Sequence, residues 1–169
     1  MTEVRNYRPV LHLPHSPLEI AVQVLAGVGL AAMLGYTAVA WPDLPQRVPR
    51  HFGISGQPDA WSCRGYVLTL PAVALGLYIM LSVLERVPHV YNYPVRLTPE
   101  NAARQYVLGR GLLMALKAEI VWMMAFMTWR TVRTATGATA GLGAAFVPVL
   151  LVVQFGTIGV YLYVARRAR

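Results

Sequence analysis

The sequence predicts an all-α fold: a polytopic membrane bundle of four transmembrane helices with a compact, Pro/Gly-rich outer loop. Three observations carry this. Apolar stretches at Leu18–Trp41, Tyr66–Leu84, Tyr106–Trp129 and Ala144–Ala165 each reach or nearly reach the roughly 20 residues a helix needs to cross a hydrocarbon core about 30 Å thick. Hydrophobic residues make up 56% of the 169 and charged residues 13%, about half the charged share usual for soluble domains. The net charge of +8 sits on arginines in loops and ends, with Lys117 the single lysine. No basic run with interleaved aromatics stands in a soluble segment, so nucleic acid is not an expected partner. Membrane lipid is. The stretch 42–65, the longest between apolar segments, is too short for a separate soluble domain, and the chain reads as one membrane domain, 1–169.

The first helix opens on Ser16-Pro17-Leu18-Glu19, a capping box with Ser16 as N-cap, Pro17 at the first helical position and Glu19 reaching back. Its apolar run is far longer than the 7–15 residues of a signal-peptide core, so it is expected to remain as a helix despite the small-x-small triplet Ala38-Val39-Ala40. Gly27, Ala31 and Gly35 recur every four residues. Such a small-residue row lets another backbone approach closely, within the bundle or on a partner chain. Gly27-Val28-Gly29-Leu30-Ala31-Ala32 formally matches a dinucleotide-binding glycine pattern, but no strand precedes it and the match is rejected. The third helix is expected over about 99–129, starting at Thr98-Pro99, with Pro99–Arg110 as an amphipathic turn or two at the membrane interface before the chain dives.

Four spans put the termini and the Glu85–Gln105 loop on one side. That side carries Arg5, Arg8, Arg86, Arg96, Arg104, Arg110, Arg166, Arg167 and Arg169; the other carries Arg47, Arg50, Arg64, Arg130 and Arg133. The asymmetry predicts both termini in the cytoplasm, and Trp41, Trp61, Trp122 and Trp129 on or towards the outer half. Cys63 is the single cysteine, which excludes an internal disulfide and a cysteine metal cluster.

The outer loop, Trp41–Trp61, holds four prolines and two glycines. That composition excludes a regular helix and favours a turn-rich compact segment. Leu44, Pro45, Val48, Pro49, His51, Phe52, Gly56, Asp59 and Trp61 stand in the pattern Pro-x-His-Phe-Gly followed by Gly-x-x-Asp-x-Trp. Across Leu18–Leu84 the chain resembles the SdpI-type bacterial membrane proteins, whose helix–loop–helix hairpin is catalogued as a domain of unknown function. The stretch Asn92–Asn101 also looks like segments of such proteins. The resemblance implies a bacterial inner-membrane protein of the immunity and signalling kind, protecting a cell from its own secreted peptide toxin. Physically, His51 and Asp59 either bind a cation or polar ligand, walled by Phe52 and Trp61, or hydrogen-bond the loop and fold it as a lid over the bundle. Two such side chains are too few to name a metal.

Lys117 and Glu119 fall inside the third apolar stretch. Arg110 lies seven residues before Lys117 and nearly on its face, whereas Glu119 is about 200° round the axis from Lys117, so the two cannot pair within one helix. Lys117 sits about 18 Å along the helix, too far to snorkel. A charge there costs at least ~2.5–3.5 kcal/mol and must find partners inside the bundle. Gln154, near the middle of the fourth helix, is the expected partner for one of them. The set serves as structural glue, as contact with a partner, or as a proton path with Glu119 titrating and Lys117 tuning it. His12, His15 and His89 read as interfacial residues and not as haem or pigment ligands. No P-loop, metalloprotease motif or Ser/His/Asp set is present.

The functional expectation is therefore a non-enzymatic membrane protein without a cofactor, recognising a peptide or protein partner through its outer loop and helix faces. A small accessory subunit of a larger membrane complex, packed through Gly27, Ala31 and Gly35, is the first alternative. A small ion-coupled transporter is the second.

Overall fold

The computed structural model describes residues 8–169. Helix α1 (Pro17–Ala40) leads into the strands β1 (Arg47–Phe52) and β2 (Pro58–Cys63), and then come α2 (Thr69–Leu84), α3 (Ala102–Ala135) and α4 (Phe146–Arg167). All four helices, α2 together with the 3-10 turn Arg64–Leu68 that leads into it, are long and apolar enough to cross a membrane. The fold is all-α but for one two-stranded ladder.

The capping box forms as the sequence dictates. Glu19 N donates to Ser16 Oγ at 3.2 Å and Ser16 N donates to Glu19 Oε2 at 2.7 Å. Helix α1 then buries Ala26, Gly29, Leu30, Met33 and Thr37, one stripe at helical spacing. Leu30 and Met33 close on Ala74 of α2 and Val121 of α3, making the central core. A second core of Leu44, Val48, Val67 and Val132 ties the strands to the far end of α3.

The loop between α1 and α2 is more regular than its composition suggests. Arg47–Phe52 pairs antiparallel with Pro58–Cys63, and two register irregularities flank His51. Pro49 lies within β1, a position tolerated on an edge strand, where its missing N–H breaks no ladder bond. The turn is clipped from outside: Leu142 N donates to Gly56 O at 2.7 Å. A Cβ on Gly56 would come within 2.8 Å of Gly143 backbone, and Gly56 has φ 76°, so this contact requires glycine. The expectation of a turn-rich segment is corrected here, because packing on Val67 and Val132 supplies what an isolated hairpin lacks.

Helix α3 departs from the expected 99–129 at both ends. Thr98 N donates to Asn101 Oδ1 at 2.9 Å, and Asn101 Nδ2 to Arg96 O at 3.0 Å, which holds the chain in a turn until Ala102. At the other end Arg130 Nε donates to Gly141 O at 2.6 Å, and the helix runs on to Ala135, near Gly137 with φ 75°. Its 34 residues span about 51 Å, well beyond the hydrocarbon core. Its first turns are two-faced, with Ala103, Arg104 and Val107 exposed. Ala102, Gln105, Tyr106, Gly109 and Arg110 are buried, under a loop whose Tyr93 ring stacks on Tyr106 at 5.6 Å.

Helices α1, α2 and α3 pack mutually, whereas α4 leans chiefly on α3. Ala165 is the one buried residue of α4. Its end is held by Gln105, whose Nε2 donates to Ala165 O at 2.9 Å and Ala168 O at 3.0 Å. These carbonyls have no intrahelical donor, so a buried side chain from α3 caps them.

Candidate functional site

Three places bring the chemistry-bearing residues together: the strand hairpin, a charged cluster at the terminal end of the bundle, and a lateral cleft beside α4.

On the hairpin, His51 Nδ1 stands 2.6 Å from Asp59 Oδ1, with the two side chains 67% and 51% exposed. Such a solvated pair contributes at most ~1 kcal/mol. Asp59, Trp61 and Cys63 alternate to the exposed face of β2. Behind the hairpin lies a pocket of about 240 Å³, lined by His51, Phe52, Tyr66, Thr128, Thr131 and Phe146 among others. Asp59 and Trp61 are not part of it. The four expected recognition residues therefore split: His51 and Asp59 pair, Trp61 faces outward and Phe52 turns inward. Strand β1 packs on α3, while β2 pairs with β1. Among the described residues no backbone group bonds the other edge of β2. No group of three His, Cys, Asp or Glu side chains placed to hold a metal occurs among the described residues.

The charged cluster joins α1, α2 and α3. Arg110 grips Glu19 with two bonds, Nε to Oε1 at 2.8 Å and Nη2 to Oε2 at 3.1 Å. It also donates to Leu13 O at 2.8 Å and Pro14 O at 2.9 Å, pinning the segment that precedes α1. One turn on from Glu19, Gln23 accepts from Lys117 and donates to Glu85. Lys117 Nζ reaches Glu85 Oε1 at 2.9 Å and Ser82 Oγ at 3.0 Å, and lies 4.8 Å from the centre of the Tyr78 ring. Lys117 is 1% exposed and Glu85 5%. The ring Lys117–Glu85–Gln23 leaves no charge without an opposite.

This arrangement corrects the expected partners. Lys117 lies level with the second turn of α1 and the last residue of α2, hence nearer the terminal end than the middle of the bundle, although it is central in α3. Gln154 bonds neither Lys117 nor Glu119. Glu19, Gln23, Ser82 and Glu85 were not singled out as its partners. Glu85 reads as the start of a loop, and Glu19 as a cap. Charge balance was the available signal: a lysine in an apolar helix demands an acid, and Glu85 follows directly on α2. A polar cavity of about 550 Å³ opens beside the cluster, with His12, His15, Glu85 and Arg86 on its walls. Near it, the Tyr91 and Tyr93 hydroxyls donate to Leu84 O at 2.8 Å and Pro88 O at 2.7 Å. Burial raises the pKa of both phenols. His89 lies in the same loop, and its carbonyl accepts from Arg8 at 3.1 Å.

Glu119 faces the other way. Thr157 of α4 donates to its Oε1. Its Oε2 is buried without a hydrogen-bond partner. The carboxyl stands in a cleft of about 550 Å³ between α3 and α4, walled by Leu25, Trp122, Phe126, Phe146, Leu150 and Val153, with Gln154 its other polar group.

The small-residue row also behaves differently from expectation. Gly27 approaches the Tyr78 hydroxyl, but Gly35 has nothing within 4 Å of a built Cβ, and Ala31 is exposed. The close approach occurs at Gly29, where a Cβ would meet Trp122 at 2.9 Å. Trp122 Nε1 donates to Leu25 O at 3.1 Å across the same contact. Trp122, 40% exposed, thus packs one face between two helices.

A family model places similarity on the hairpin and its flanking helices. A domain of unknown function (DUF1648) matches residues 28–75, spanning the second half of α1, both strands and the start of α2. An uncharacterized protein of Archaeoglobus fulgidus is 33% identical over 75 residues, 40% of this chain and 41% of that protein. The chain thus spans about two fifths of the length of that relative. No solved structure matches. His51, Phe52, Asp59 and Trp61 lie inside the matched domain, and Lys117, Glu119 and Gln154 outside it. The chain is a helical protein with four membrane-length helices and a domain of unknown function built around the strand hairpin.

Proposed function

We propose that this chain is a non-enzymatic membrane protein that recognises an extended peptide or protein segment at its hairpin. The observation that carries the reading is the open edge of β2. An unpaired edge offers a row of N–H and C=O groups to an incoming strand, and side chains alternating along it supply selectivity. Asp59 and Trp61 are those side chains here, with the His51–Asp59 pair beside them. Helix α3 and the turn Arg64–Leu68 pack on β1 and support the hairpin, which lowers the ordering cost of binding. The resemblance of this loop to SdpI-type immunity proteins supports a secreted peptide toxin as the ligand class. The surplus of arginines at the terminal end supports cytoplasmic termini in a bacterial inner membrane, with the hairpin outside.

The experiment is survival of cells carrying the protein under challenge by secreted peptides of their own community, with Trp61→Ala and His51→Ala variants inserted at equal levels. Protection lost with Trp61→Ala supports the reading. Protection unchanged in both variants removes the hairpin from the mechanism.

A second reading, an accessory subunit in a larger complex, draws on α4. Its membrane-length window has no buried residue, and Ala31 and Gly35 stand exposed on α1. Purification in mild detergent separates the two: a stoichiometric large partner supports the subunit, and a lone monodisperse chain opposes it.

A further inference from the structure

The cleft beside α4 holds the one carboxylate of the described helical bundle that no basic side chain neutralises. Arg110 is spent on Glu19 and Lys117 on Glu85, both towards α1 and α2. Glu119 has only the Thr157 hydroxyl on Oε1, and its Oε2 is buried with no donor. An ionised carboxylate among apolar walls needs a counter-charge, and a polar atom shut away from water needs a partner. The walls are apolar and partly aromatic, and a volume of about 550 Å³ falls in the range of small-molecule sites, roughly 300–1,000 Å³.

We propose that this cleft binds a lipophilic amine, its apolar body against Trp122, Phe126, Phe146 and Leu150 and its ammonium group paired with the Glu119 carboxyl, which turns about its last side-chain bond to meet it. An anion is opposed by Glu119 itself. A phospholipid chain fills the walls but leaves Oε2 without a donor, because its headgroup stays at the interface. A primary ammonium supplies both the charge and the hydrogen bond, and the neighbouring aromatic faces favour a cation. Helix α4 leans chiefly on α3 and buries only Ala165, so the cleft lies open on its flank, which gives entry from the membrane.

The test uses the whole chain in nanodiscs of phosphatidylcholine, titrated at neutral pH with dodecylamine, dodecanol or dodecanoate. Tryptophan fluorescence reads binding, since Trp122 lines the cleft, and empty discs give the partition background. Dodecylamine is expected to bind about tenfold tighter than dodecanol, the weight of one charge-assisted hydrogen bond. Glu119→Gln should bring the amine down to the alcohol without moving the alcohol. Leu150→Trp, which fills the cleft and spares Glu119, should abolish binding of both. Equal affinity for amine and alcohol in the unaltered protein overturns the proposal, and so does an amine preference that survives Glu119→Gln. A lipid chain or a copurifying membrane helix occupying the cleft gives the first of those results. If Glu119→Gln does not fold, the amine-to-alcohol ratio and Leu150→Trp still decide.

Discussion

Lys117 and Glu119 stand two residues apart on one helix, yet they live in different solvents. Lys117 points into the seam where α1, α2 and α3 converge, and three side chains and a tyrosine ring receive it. Glu119 points towards α4 and meets one hydroxyl and an apolar cleft that Leu25 of α1 also walls. The helix is the same; the number of elements packed around each face differs. A charge in a three-helix seam becomes structure. A carboxyl on the face towards α4 keeps one oxygen without a partner.

That contrast can be broken from its strongest side first. Lys117→Met leaves Glu85 buried and uncompensated, and should cost ~3–5 kcal/mol in a thermal or denaturant titration in detergent. Adding Glu85→Leu should restore most of the loss, since an apolar pair of similar volume replaces a buried ion pair at little cost. If the double variant is as unstable as the single one, the seam depends on more than charge balance. By comparison, Glu119→Gln keeps an acceptor for Thr157 and should shift stability by less than ~1 kcal/mol.

The small-residue contacts sharpen the comparison at a middle scale. Gly29→Ala drives a methyl into Trp122 and should destabilise by ~1–3 kcal/mol, less the gain in helix propensity. Gly35→Ala meets nothing and should be neutral or up to ~1 kcal/mol stabilising, because alanine is the better helix former. Equal effects would mean that α1 packs on α3 along a different face. A more local effect separates α4 from the rest: Gln105→Leu removes the donors to Ala165 and Ala168 and should cost ~1–2 kcal/mol. Hydrogen exchange should then rise in the last turn of α4 while the α1–α3 seam stays protected.

Much of this was legible in the residues. The four spans follow from hydrophobic length, and the start of α1 from Ser16, Pro17 and Glu19, because both signals are local. The separation of Lys117 and Glu119 onto opposite faces follows from helix geometry alone. The limits of α3 did not follow. Arg130 reads as an end because charge leaves the membrane, yet it bonds Gly141 and the helix continues. The strand pairing was hidden for a related reason: prolines at 45, 49 and 58 argue for turns, and only the support of Val67 and Val132 makes a ladder of them.

The sequence by itself determined the solvent, the number of crossings and the need of each buried charge for a partner, since these depend on transfer free energy and chain length. Tertiary structure decided which partner each charge has, which glycine admits another helix and where a cleft is left. Those depend on the order in which helices pack around α3. A sequence shows that Gln154, Thr157, Glu19 and Glu85 are polar; only the packing determines which of them reach Glu119, Arg110 or Lys117.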